Sequence, residues 1–154
     1  KEIGAYSDTL KSDLLLSAQG NARATTKVGF CYRDGKHGAR KNVQKAFEWF
    51  EKSTLMGDAC GAQALGVLYM NGQGVEKDTT RGILELTHGA MLGSEHSCNC
   101  LGHHFSTGKH FKENKRFAMY WYKKSIAARW QDSVDVSRER RETFLRENDS
   151  GSFN

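Results

Sequence analysis

The stretch Leu65-Gly66-Val67-Leu68-Tyr69-Met70-Asn71-Gly72-Gln73-Gly74-Val75-Glu76-Lys77-Asp78 occurs, in degraded form, twice more in the chain. Upstream, Val28-Gly29-Phe30-Cys31-Tyr32-Arg33-Asp34-Gly35 keeps its frame, and downstream Leu101-Gly102-His103-His104-Phe105-Ser106-Thr107-Gly108 does so again. Each copy reads aliphatic-Gly-x-x-aromatic-x-x-Gly. The sequence that follows repeats as well: Asn42, Asp78 and Asn114 are 36 residues apart, as are Ala46, Gly82 and Ala118, and Phe50, Leu86 and Tyr122. Trp49 and Trp121 stand beside the first and last of these, and Gly20, Gly57 and Gly93 recur at steps of 37 and 36. A period of 36–37 residues held through three copies identifies a repeat architecture.

The residue types say what each copy folds into. An aliphatic residue and an aromatic four positions later share one face of a helix, one turn apart. The glycine beside the aliphatic residue costs about 1 kcal/mol against alanine in a helix, so its recurrence marks a place where a second helix comes close. The glycine three residues beyond the aromatic accepts the left-handed conformation that ends a helix. Asn42, Asp78 and Asn114 then stand where N-cap acceptors for a second helix belong, and Ala46/Ala118 with Trp49-Phe50 and Trp121-Tyr122 give that helix its apolar face. The unit is helix, loop, helix, with breaks expected near Gly35, Gly57, Gly72, Gly93 and Gly108. Glu85 takes the place of the tryptophan in the second copy and should be exposed or paired.

Composition agrees. The 154 residues contain no proline, which suits helices and not loop-rich β domains, and 38% hydrophobic with 27% charged residues is a folding composition. The longest apolar run, Leu14-Leu15-Leu16, falls far short of the roughly 18 residues a membrane span requires. The chain opens at Lys1 without an apolar signal core, as expected of a processed protein or a piece of a longer one. Cys31, Cys60, Cys98 and Cys100 show no paired spacing, so they are read as reduced thiols and the chain as cytoplasmic, with an organelle lumen the alternative for a processed fragment.

These motifs resemble the SEL-one-like repeat, a relative of the tetratricopeptide repeat. The second copy matches the centre of its pattern from Leu65 to Asp78, the first supplies Lys45-Ala46-Phe47-Glu48-Trp49-Phe50-Glu51-Lys52, and the third Ala118-Met119-Tyr120-Trp121-Tyr122-Lys123-Lys124. The third copy departs from the pattern in lacking Gly-Val after its turn. The resemblance implies an all-α, right-handed superhelix in a single domain. Its parts are an N-terminal cap helix over 1–20, repeats over about 21–57, 58–93 and 94–129, and a C-terminal cap helix over 130–148. Asp132 or Ser133 would cap that last helix, with Val134, Phe144 and Leu145 facing inward. The resemblance also implies a non-catalytic adaptor that holds protein partners and needs no cofactor.

In such arrays the first helices of successive units line the inner face. The positions left free by the core pattern there are Arg23, Thr26, Phe30 and Arg33 in the first unit, Cys60, Gln63, Val67 and Met70 in the second, and His96, Asn99 and His103 in the third. This row of apolar and hydrogen-bonding residues is the expected partner-binding surface. Two alternatives rest on other residues. The net charge of +5 gathers at two loops, Arg33, Lys36, Arg40, Lys41 and Lys45, and Lys109, Lys112, Lys115 and Arg116, which could meet phosphates of nucleic acid or an acidic protein. His96, Cys100 and His103 or His104 share a helix face at spacings that could bind a metal, and Cys60 could form a redox pair with a cysteine of a neighbouring repeat, although Cys98 and Cys100 also fit as compact apolar packers. No nucleophile has a histidine and an acid at spacings the repeat would bring together, and no phosphate-cradling loop opens a helix, which argues against catalysis.

Overall fold

A computed structural model of the chain describes residues 5–127 and 136–148. Among them there are eight α-helices and no strand. The chain divides after Leu92 into two compact units.

The first unit holds α1 (Asp8–Ala18), α2 (Ala22–Asp34), α3 (Val43–Leu55), α4 (Ala59–Asn71) and α5 (Thr79–Met91). Each first helix of a repeat is capped at both ends by the expected kind of residue. Asn21 and Asp58 accept the amides of Ala24 and Gly61 at the start of α2 and α4, and Gly35 and Gly72 close them in the left-handed conformation at φ 66° and 64°. Asn42 and Asp78 accept the amides of Lys45 and Arg81 at the start of α3 and α5.

The recurring intrahelical glycine is where the two helices of a repeat touch. A methyl group on Gly29 would stand 2.6 Å from Phe50 Cε1, and one on Gly66 2.8 Å from Leu86 Cγ and 3.0 Å from the Gly82 carbonyl oxygen. The residues 36 apart in the second helices thus seat on the glycines of the first. Val28, Leu65, Leu68, Tyr69, Phe50 and Ala46 form the buried core of this unit with Leu10 of α1. Burying such side chains contributes roughly 1.5–3 kcal/mol each. Trp49 packs against the core without entering it, half-buried beneath the Lys52 ammonium. Glu85 is half-buried, 3.8 Å from His88 Nδ1.

Helix α1 behaves as the second helix of a preceding repeat. The Ser7 amide at its start donates to the His37 carbonyl (2.9 Å), and the Ala5 carbonyl lies against Gly38. One period on, the Val43 carbonyl at the start of α3 lies against Gly74. The loop of each repeat in this unit therefore rests on the start of the previous second helix.

The second unit holds α6 (Glu95–Thr107), α7 (Lys115–Ala127) and α8 (Val136–Asn148). Ser94 and Asn114 cap α6 and α7, Gly108 ends α6, and Tyr122 covers Gly102 as Phe50 covers Gly29. Trp121 is buried. In the C-terminal helix Phe144 packs its ring on Tyr122 as expected, centroids 5.3 Å apart, whereas Asp132, Ser133 and Val134 lie outside the described residues. The charged sequence of α8 is not confined to its outside. Arg141, 4% exposed, reaches between α6 and α7 to Glu95 Oε1 (2.7 Å), Asn99 Oδ1 (3.1 Å) and Ser125 Oγ (2.9 Å).

Candidate functional site

The first helices carry the residues expected to face a partner, and the structure sorts them. In the first unit, Phe30, Arg33, Cys60, Gln63 and Val67 are half-buried and Arg23 is exposed. Phe30 lies edge-on against Phe50, centroids 5.0 Å apart, with the Arg33 guanidinium 4.7 Å above its ring. Asp34 takes the same guanidinium through both carboxylate oxygens (2.7 and 3.0 Å), a bidentate bond that holds its carboxyl below the ordinary carboxylate range.

Two expected positions are not on that surface. Thr26 is fully buried because α2 and α4 converge there, its hydroxyl donating to the Asp58 carboxylate that caps α4. Met70, 2% exposed, lies over Gly82, at the place where the other repeats have alanine, and fills the room that the missing methyl leaves. Both are packing residues.

Asp58 was the residue the pattern undervalued. Its carboxylate caps α4 through the Gly61 amide, accepts from Thr26 of α2, and lies 3.3 Å from Arg23 Nε, while Arg23 Nη1 is 2.7 Å from Cys60 Sγ. The signal existed, since Asn21, Asp58 and Ser94 recur at 37 and 36 residues just before each first helix. The network ties α2 to α4 along one margin of the candidate surface.

In the second unit His96 is exposed, His103 half-buried, and the Asn99 side chain is held by Arg141. Nothing in the pattern of α8 announced Arg141, one arginine among several in a charge-rich helix. Among the described residues no three His, Cys, Asp or Glu side chains come together as a metal site. Cys31 and Cys98 are buried apolar packers, and burial pushes both thiols up from the ordinary range. Of the basic loop residues, Lys36, Arg40 and Lys41 are exposed, and Lys45 places its ammonium 5.3 Å from the Tyr32 ring. No helix among the described residues is long and apolar enough to cross a membrane.

The decisive comparison is with a family model. The Sel1 repeat matches residues 22–58, 61–84 and 96–129, three segments in the register of the three copies. The chain belongs to the Sel1 repeat family. This Sel1 repeat chain is similar to chitin synthase regulatory factor 1 of Schizosaccharomyces pombe, 33% identical over 114 residues that cover 70% of this chain and 25% of the relative. It is also similar to human protein sel-1 homolog 2, 29% identical over 105 residues, 68% of this chain and 15% of that one. The chain therefore spans a quarter or less of the length of these relatives. Among solved structures, a Sel1 repeat protein from Oxalobacter formigenes shares the fold at a TM-score of 0.69 and 22% identity, over 84% of this chain and 51% of that one.

Proposed function

We propose that this Sel1 repeat chain is a non-catalytic adaptor that binds a protein partner through the first helices of its repeats. Sel1 repeats generally mediate protein–protein interactions, and the name of the Schizosaccharomyces pombe relative describes a regulatory factor. The observation that carries the reading is the pair Phe30 and Val67. One on each of the joined helices α2 and α4, both are half-buried apolar side chains beside Arg23, Arg33, Cys60 and Gln63. Apolar surface among hydrogen-bonding groups is the composition of an interface core and its rim. His96, Asn99 and His103 continue the register on α6.

Val67→Glu, a change at a half-exposed site, should abolish capture of the partner by the full chain in a cross-linking pull-down while leaving helicity and melting unchanged. If the variant folds and captures the same partner, this row is not the site, and the exposed basic loop at Lys36, Arg40 and Lys41 becomes the candidate. The working compartment is proposed to be the cytoplasm, on the support of Cys31 and Cys98 packing as thiols in the core. Alkylation of the protein as isolated should modify four cysteines after denaturation without reductant, and a disulfide found instead would move it to an oxidising lumen.

A further inference from the structure

The third repeat differs from the others where their cores are apolar. His104 occupies the α6 position that Leu68 holds in α4 and Cys31 in α2, both buried. His110 stands one period after Gly74, in the loop between α6 and α7. The two imidazoles meet ring to ring, centroids 5.1 Å apart, and His103 lies 6.0 Å from His104 on its other side. Nδ1 of His104 and Nδ1 of His103 are both buried with no hydrogen-bond partner, so a proton added there would gain no acceptor.

The charges that act on His104 and on His103 are cationic. On His104 act His110, His103 and Lys109, from the loop and from α6 itself, and on His103 act Lys109 and Arg140 of α8. The two carboxylates of the α6–loop–α7 hairpin are engaged elsewhere. Glu95, at the opposite end of α6, takes Arg141, and Glu113 of the loop pairs with Lys115 (4.0 Å). Glu142 and Glu147 lie on α8, and from α7 it is the Tyr122 hydroxyl, 3.5 Å from Ser106, that approaches α6. In the first unit, by contrast, His37 and His88 are exposed.

We propose that the His103–His104–His110 cluster makes the α6–loop–α7 hairpin an acid-triggered element, which opens as His104 and His103 are protonated while the first unit keeps its fold. Burial first, and then the neighbouring cations, hold His104 down to about 4 from the ordinary 6.5. Above pH 6.5 the ring is neutral whether the hairpin is closed or open, and the closed form has its full stability. As pH falls from 6.5 toward 4, the open form binds the proton and the closed form resists it, so stability is lost across that window. Allowing for partial exposure of the cluster, the gain in the open population is on the order of tenfold at pH 5.

Amide hydrogen exchange of the full chain at pH 7 and pH 5, corrected for intrinsic rates, reads this directly. Opening of residues 96–122 should increase on the order of tenfold relative to α2–α5. His104→Leu, which restores the residue of the second repeat, should remove most of that difference. Equal loosening of both units, or the same acid response in H104L, overturns the proposal. Should H104L not fold, titration of the wild-type His104 ring by NMR decides: a midpoint near 4 supports the trigger, and one near 6.5 overturns it.

Discussion

Gly66 and Asp58 show how single residues govern this chain. Alanine at position 66 would gain about 1 kcal/mol of helix propensity. Its methyl would also meet Leu86 and, less forgivingly, the backbone oxygen of Gly82 at 3.0 Å, and overpacking of this kind costs about 1–3 kcal/mol. Gly66→Ala should therefore be net destabilising, by up to about 2 kcal/mol in urea unfolding; a stabilised variant would show that α4 and α5 can part at no cost. Asp58→Ala should fall at the upper end for a cap, about 2 kcal/mol, because the buried Thr26 hydroxyl loses its short bond and keeps only the Ala22 carbonyl at 3.3 Å, while the Gly61 amide loses its acceptor. Comparison with Asp78→Ala, whose carboxylate caps α5 at an exposed position, separates the two contributions.

Helices, caps and the seating of one helix on another were legible in the sequence because they depend on residues a fixed distance apart. The aliphatic-Gly-x-x-aromatic pattern, its closing glycine and the caps Asn42, Asp78 and Asn114 all state a local geometry. The candidate surface was legible only in part. Thr26 and Met70 are buried by what lies across from them, the start of α4 and the bare backbone of Gly82, and no spacing within α2 or α4 encodes either neighbour. Arg141 was hidden for the same reason. Helix α8 is poor in apolar residues, so its hold on the other helices of its unit rests heavily on that guanidinium and on Phe144. Arg141→Ala should free residues 136–148, raising their exchange by about tenfold or more, the equivalent of a lost charge-assisted bond of about 1.5–3 kcal/mol. Trp121→Ala, emptying a core site of α7, should cost about 3–5 kcal/mol, and an unchanged melting temperature would mean the register of that helix is misassigned.

Over the whole molecule, stability in a repeat protein is approximately a sum of terms for each repeat and its neighbours, so unequal repeats yield unequally. The first unit packs Leu65, Leu68, Tyr69, Val28 and Phe50 into one core, while α6 spends the equivalent of Leu68 on His104. Already at neutral pH, α6 and α7 should exchange their amides through smaller openings than α2–α5, and thermal unfolding followed by Trp121 fluorescence in a Trp49→Phe, Trp130→Phe background should precede loss of total helicity. Coincident transitions would show instead that the chain unfolds as one unit. The carboxylate of Asp58 has a further consequence for how such a chain comes apart. One carboxylate oxygen, Oδ2, serves both the first turn of α4 and a hydroxyl on α2, so fraying of that turn also breaks the shorter of the two bonds that Thr26 donates. Fraying of a helix end and parting of adjacent repeats are here coupled through one atom.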